Sequence, residues 1–201
     1  MLGFVFGGGR REGGVIRGIV TPSRWAVTPF GEIDGSITPR LTRLVEIIRR
    51  AGFRAEPSRQ ITDWLTTHAA QVPCFAQMAI KHNLDMRSLA QSPRDVGLMV
   101  DAMRETLDVL EATGTHITPA SSASIRTIPR FVMVGLLRLT LPSKFMTVGG
   151  VWHVSQAPDE MHQLAAELET LVVKSGLRVP ALRKLLGMPA PATLRSARQA
   201  S

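Results

Sequence analysis

The chain has 201 residues, of which 44% are hydrophobic and 20% charged, a composition typical of one or two globular domains rather than a disordered chain. The formal net charge of +8 is compatible with an anionic partner, but the arginines are scattered and only 5% of residues are aromatic, so we expect no nucleic-acid partner. One cysteine, Cys74, excludes an intrachain disulfide, and the lack of a long apolar segment or export signal predicts a cytoplasmic protein with no membrane partner.

The first 36 residues are predicted to be β structure, with short apolar strands at 2–6, 15–20 and 25–28. An apolar strand that begins at residue 2 predicts that neighbouring strands are missing upstream, because chain ends are usually polar and frayed. The glycine-rich segment 7–14 is predicted to be a wide hairpin loop. The dinucleotide fingerprint G-x-G-x-x-G would need glycine where Glu12 stands, and a strand rather than a helix follows. A phosphate contact from Arg10 or Arg11 is the alternative.

From residue 38 onward the hydrophobic period becomes helical. Thr38 is expected to cap the first helix, with Pro39 at its first position and Gly52 at its end, and residues 53–56 are predicted to form another strand. Further helices are predicted at 61–81, 93–114, after Pro119, after Pro129, at 158–176 and at 180–186. The pattern predicts an α+β chain with an α/β sheet part over 1–58, an all-α domain over 59–188 and a disordered tail over 189–201.

The histidines and the cysteine of the sequence indicate neither a metal site nor a nucleophile. The histidines contain no pair four residues apart on one helix, so we expect no metal site. Cys74 lies in an apolar setting and is expected to be a buried structural thiol rather than a nucleophile.

Several segments resemble, in order and spacing, the ketopantoate reductase (2-dehydropantoate 2-reductase) family over residues 1–187. The two most informative are Ile-Thr-Asp-Trp-Leu-Thr-Thr-His-Ala-Ala-Gln-Val-Pro at 61–73 and Asp-Glu-Met-His-Gln-Leu-Ala-Ala-Glu-Leu at 159–168, which is followed by Ser-Gly-Leu-Arg-Val-Pro at 175–180. Shorter matches lie at 2–4, 31–35 and 51–53. The resemblance implies that residues 1–58 are the remnant of a Rossmann-type nucleotide-binding domain. It also implies that the helical domain has the fold of the C-terminal domain of 6-phosphogluconate dehydrogenase.

In that family NADPH reduces a small 2-oxo acid, such as ketopantoate in pantothenate biosynthesis, and a lysine protonates the ketone oxygen. A cationic donor suits this step because the oxygen gains negative charge as hydride arrives. The lysine position corresponds to Thr66 here, and the position of a family asparagine to Ala70. Glu160 matches the family's acidic residue, which orients substrate and lysine, although capping of its own helix is an equally good interpretation. His153 is a candidate for lining the substrate cleft, and the alternative, which the residues favour, is an ordinary packed or exposed histidine.

These features lead to two hypotheses about function. The first is an oxidoreductase fragment of the ketopantoate reductase type, which on its own neither binds NADPH nor catalyses the reaction, and which pairs with a second copy or a missing N-terminal half. The second is a non-catalytic helical module that binds a small molecule or a partner chain, favoured by Thr66 and Ala70 at the lysine and asparagine positions.

Overall fold

The structure, a computed structural model, describes residues 1–5, 7–20 and 27–189. The tail predicted at 189–201 lies outside the described residues from 190 onward, as do the first two positions of the strand predicted at 25–28. The described residues form five strands: β1 (Leu2–Gly3), β2 (Gly7–Glu12), β3 (Val15–Val20), β4 (Thr28–Gly31) and β5 (Ala55–Pro57).

Three of the strands form a small mixed sheet in the order β1-β4-β5. β1 pairs antiparallel with β4, and β4 pairs parallel with β5 through the register Thr28↔Ala55. Parallel neighbours need a crossover connection, and helix α1 (Pro39–Arg50) provides it. Leu41 and Val45 of α1 pack with Ala55 to form a core beneath the sheet, so β4-α1-β5 is a β-α-β unit.

The glycine-rich segment differs from the wide loop that we predicted. Residues 7–12 form β2, which pairs antiparallel with β3 from Gly7↔Val20 to Glu12↔Val15. The connection is a two-residue turn at Gly13 and Gly14, where φ is +53° and +82°. Glycine adopts positive φ without steric cost, and two successive positive values suit a tight hairpin turn. The sequence pattern thus predicted a hairpin correctly but overestimated the length of its loop.

The remaining chain is helical, and most of its elements were predicted. The helices are α2 (Ile61–Lys81), α3 (Met86–Ala90), α4 (Pro93–Ala112), α5 (Ala120–Thr127), α6 (Arg130–Thr140), α7 (Trp152–Gln156), α8 (Pro158–Ser175) and α9 (Pro180–Leu186), with a π-helical turn at Met146–Val151 leading into α7. Thr38 and Ser92 cap α1 and α4 by accepting hydrogen bonds from Leu41 N and Asp95 N, both at 3.3 Å. α3, α7 and the π-helical turn were not predicted.

α2 runs through the centre of the helical part and contacts α4, α8 and α9. Ile61 and Trp64 of α2 are buried, whereas Leu65 and Ala69 are only partly buried although both are apolar. Thr67, Ala70 and Cys74 are buried instead. The hydroxyl of Thr67 is satisfied by the backbone N–H of Thr118 at 3.4 Å, which explains how a polar side chain fits there.

The described chain is therefore an α+β protein that is mostly helical, with one small mixed sheet and a separate hairpin. In the described ranges, none of the helices combines the length and the apolar character that crossing a membrane requires.

Candidate functional site

Thr66 and Ala70 line the same groove, which runs between α2 and α8. The groove has a volume of about 250 Å³, and the α8 side is formed by Leu164, Glu167, Leu168 and Leu171. Leu65 and Ala69 complete the α2 side. The two positions that the family resemblance assigns to lysine and asparagine are thus one turn apart on the same wall.

The groove is mainly apolar, and its polar groups carry no positive charge. Thr66 contributes a hydroxyl, and Glu167 contributes an exposed carboxylate that accepts a hydrogen bond from Gln163 Nε2 at 2.8 Å. A carboxylate near a bound 2-oxo acid repels it, and no lysine or arginine among the lining residues offsets that repulsion. As it stands, the groove has no cationic proton donor for a ketone oxygen.

His153 and Glu160 form a second pair. His153 lies on α7 and Glu160 in the first turn of α8, with Nε2 and Oε1 3.6 Å apart and both side chains about half exposed. The N-cap of α8 is Ala157, and no side chain caps it by a hydrogen bond. Glu160 therefore acts on its helix at most through the helix dipole, and the contact that the structure records for its carboxylate is with His153.

Helix α8 contributes both to the groove that contains Thr66 and Ala70 and to the His153–Glu160 pair. Leu164, which lines the groove, stands four residues after Glu160, and side chains at this spacing lie on one helix face with Cβ atoms about 5–6 Å apart. Glu160 is not itself among the lining residues of the groove, so the expectation that it shares a cleft with Thr66 stays a prediction.

An aromatic cluster, not foreseen from the sequence, covers another side of the N-terminal half of α2. Trp64 and His68 stack with ring centroids 5.5 Å apart, and Phe4 contacts both, at 5.1 and 4.4 Å. Burial, and then the charge of His153, lower the pKa of His68. The i, i+4 spacing of Trp64 and His68 was the available sequence signal.

A larger cavity, of about 680 Å³, lies between the sheet and the helices. It is bounded by Pro57 and Ser58 at the carboxyl end of β5, by Arg59 and Gln60 at the start of α2, and by Trp64, Pro119 and Ser121. Crevices at the carboxyl ends of parallel strands are common ligand sites in α/β proteins. Its lining includes the Arg59 guanidinium, the Ser58 and Ser121 hydroxyls, the Trp64 indole and the Glu56 carboxylate. The sequence did not reveal it, because it depends on the pairing of β4 with β5.

The described residues do not fit a dinucleotide at the glycine-rich segment. A pyrophosphate cradle needs a glycine loop that opens a helix, so that backbone N–H groups point at the phosphates. The glycines here lie in a strand and in its turn to another strand. In the part of the chain that the structure covers, no three His, Cys, Asp or Glu side chains are grouped to hold a metal ion.

Comparison with known proteins gives no relative for this chain: no family model matches it, and neither do curated proteins or solved structures.

Proposed function

We propose that this chain is the substrate-side part of a ketopantoate-reductase-like oxidoreductase and that it binds a small 2-oxo acid along the N-terminal half of α2. On this proposal the sheet is a remnant of a Rossmann-type domain, and NADPH is the cofactor of the family. The chain on its own does not complete the reduction, because Thr66 carries no charge and the glycine segment does not form a cofactor loop.

The observation that carries the proposal is the packing of α2 against α8. The family resemblance was built on segments nearly a hundred residues apart, and it requires the helix with Thr66 and the helix with Glu160 to face each other. α2 and α8 are in contact, and Thr66 and Ala70 stand opposite Leu164 and Glu167. Ala70 and Leu168 also belong to one hydrophobic core cluster, so the same contact is part of the core.

The cavity beside Trp64 lies on another side of α2 from Thr66, and its polar lining consists of Arg59, Ser58, Ser121, Gln60 and Glu56. The guanidinium of Arg59 is suited to the carboxylate of the acid, since arginine binds carboxylates through paired hydrogen bonds. The Ser58 and Ser121 hydroxyls can donate to the carboxylate or keto oxygens. The His153–Glu160 pair stands at the start of α8, one turn before Leu164 of the groove, and on this proposal it borders the site.

The test is to restore the family's cation at position 66. Thr66→Lys should tighten binding of ketopantoate to the chain at least about tenfold in an NMR titration, since a hydrogen bond to a charged group contributes about 1.5–3 kcal/mol. Thr170→Lys adds the same charge at an exposed position of α8 that does not line the groove, and should leave the affinity unchanged. Equal gains in both variants would mean that net charge alone attracts the acid, and the proposed site would be wrong.

One observation favours the second hypothesis, a non-catalytic binding module. The groove carries Leu65, Leu164, Leu168 and Leu171 and lacks any cation, which suits an apolar ligand better than an acid. If ketopantoate binds neither the wild-type chain nor Thr66→Lys, while an uncharged ligand of similar size binds, this second function is the correct one.

A further inference from the structure

A cavity distinct from the α2–α8 groove and from the cavity beside Trp64 lies at the opposite end of α2. Its volume is about 550 Å³, and its charged lining comes from the end of α2, from α4, from the start of α6 and from α9: Lys81, Arg94, Asp95, Asp101, Arg130 and Lys184. We call this cavity the basic pocket. At about 1.5 Å per helical residue, Lys81 stands roughly 25 Å from Trp64, so the basic pocket is separate from the 2-oxo acid site.

One cation of the basic pocket is held in place by a carboxylate. Asp95 Oδ1 accepts a hydrogen bond from Lys81 Nζ at 2.6 Å, while Oδ2 lies 2.9 Å from His82 Nε2. The hydrogen bond from Lys81 is the main cause that lowers the pKa of Asp95 to about 2. Burial acts to raise this pKa, and the hydrogen bond from His82 lowers it further. Asp95 is therefore ionised at neutral pH and orients Lys81 at the rim.

A second carboxylate, that of Asp101, holds Arg130. Its Nε donates to both oxygens of Asp101, at 2.8 and 3.0 Å, so the terminal nitrogens are not committed to that carboxylate. The guanidinium lies over Gly97, and a Cβ at this position would collide with Nη2. Glycine at 97 thus creates the slot that the guanidinium occupies.

Arg94 and Lys184 complete the basic pocket. Both are exposed, and neither forms an ion pair with any residue that the structure describes. Four cations and two carboxylates leave an excess of two positive charges around the basic pocket. This excess matches the charge of a phosphate group near neutral pH, about −1.5 to −2, and arginine forks suit phosphate oxygens.

We propose that the basic pocket binds a phosphate group, with Arg94 and Lys184 providing the uncompensated charge and Arg130 a pre-oriented guanidinium. Free phosphate and the phosphate monoester of a small molecule share this chemistry.

Titration with inorganic phosphate and with glycerol 3-phosphate at constant ionic strength, followed by NMR, tests the proposal. We expect saturable shifts at residues of the basic pocket. The double variant Arg94→Gln/Lys184→Gln should bind at least about tenfold more weakly, since it loses two charge-assisted contacts. Arg43→Gln/Arg50→Gln removes the same charge beside another cavity of similar size, about 580 Å³, and should bind like the wild type.

Gly97→Ala separates geometry from charge, because it keeps every charge and displaces the Arg130 guanidinium. Because Nη2 must move away from the added Cβ, binding should weaken, and a thermal melt verifies that the variant is folded. A stronger response to glycerol 3-phosphate assigns the basic pocket to a monoester, and a stronger response to phosphate assigns it to the free anion; both support the proposal. Absence of saturable shifts in the wild type or equal losses in the two double variants would overturn the proposal, and wild-type affinity in a folded Gly97→Ala protein would overturn the role given to the pre-oriented Arg130.

Discussion

At the scale of single residues, the Glu32 side chain connects three parts of the sheet region through hydrogen bonds and ion pairs. Glu32 follows β4 directly, and its side chain is 4% exposed. Oε1 accepts hydrogen bonds from Thr38 Oγ1 at 2.6 Å and from Arg40 Nε at 2.7 Å, and Oε2 accepts one from Arg40 Nη2 at 2.6 Å. The amino group of Met1 lies 3.4 Å from Oε2. One carboxylate thus links the first residue, the end of β4 and the first turn of α1.

This arrangement predicts a pH dependence of stability. The hydrogen bonds from Arg40, and then from Thr38, lower the pKa of Glu32 to about 2, below the unfolded value near 4.5. A lowered pKa means that the stabilisation is fully present above about pH 4.5 and is lost as the pH falls toward 2. Glu32→Gln should therefore melt below the wild type at pH 6, and the difference should close by pH 2. Glu46→Gln, at an exposed carboxylate of α1, should match the wild type throughout; a Glu32→Gln difference independent of pH would contradict this account.

Cys74 gives a second prediction at this scale. It is fully buried, and its Sγ lies 3.6 Å from Thr106 Oγ1. Burial raises the pKa of the thiol to about 12, and the thiolate is the reactive form. This confirms the predicted buried thiol. A thiol reagent at pH 8 should not react with the folded chain and should react fully in denaturant. Thr62→Cys, at an exposed position of α2, should expose one reactive thiol when folded; rapid labelling of the wild type would show that Cys74 is accessible.

At the scale of elements, a helix or turn could be predicted from the sequence when the residues that cause it lie close together in the chain. Caps and first-position prolines act within one turn, so the starts of α1, α4 and α8 were found from the sequence. The π-helical turn at Met146–Val151 was not predicted, because it depends on contacts with residues that are far away in the sequence. It packs against the β2–β3 hairpin, and a Cβ at Gly150 would lie 2.8 Å from the ring of Phe75. The cavity beside Trp64 was missed for the same reason.

α6 carries a prediction about the two sides of one helix. Met133 and Val134 are buried, whereas Phe131 and Leu139 are 77% and 80% exposed, although all four are apolar. Met133→Ala should cost about 2–5 kcal/mol in the free energy of unfolding, as expected for a large core side chain. Phe131→Ser and Leu139→Ser should change it by no more than about 0.5 kcal/mol, measured by urea denaturation. A cost for Phe131→Ser as large as that for Met133→Ala would show that the exposed side of α6 is covered in solution.

At the scale of the whole molecule, the described residues form a β-α-β unit with β1 at its edge, a separate hairpin and a helical part, and the β-α-β unit meets the helical part along the N-terminal half of α2. Phe4, which follows β1, contacts Trp64 and His68 of α2, and the cavity bounded by Arg59 and Trp64 lies at the same junction. The α+β class follows from the hydrophobic periods and is confirmed. The ketopantoate reductase assignment, the domain boundary at 58 and the roles of Thr66 and Glu160 stay predictions.

The absence of a phosphate-binding glycine loop predicts the outcome of a cofactor titration. Because the glycines form a strand and a hairpin turn, NADPH titrated against the purified chain should show no low-micromolar site by fluorescence. Tight binding would contradict this expectation. If such binding were lost in Arg10→Gln/Arg11→Gln, the alternative phosphate contact proposed for these arginines would be correct.

The measurement that tests the central claim most directly is NMR mapping of ketopantoate binding on the wild-type chain. If α2 and α8 form a 2-oxo acid site, increasing ketopantoate should shift the backbone amides of Thr66, Ala70 and Glu160, with one common saturation curve. Signals at Lys81 and Lys184, at the distant end of α2, should stay in place. Shifts confined to the basic pocket, or no saturable shift at millimolar ketopantoate, would contradict the ketopantoate-reductase account.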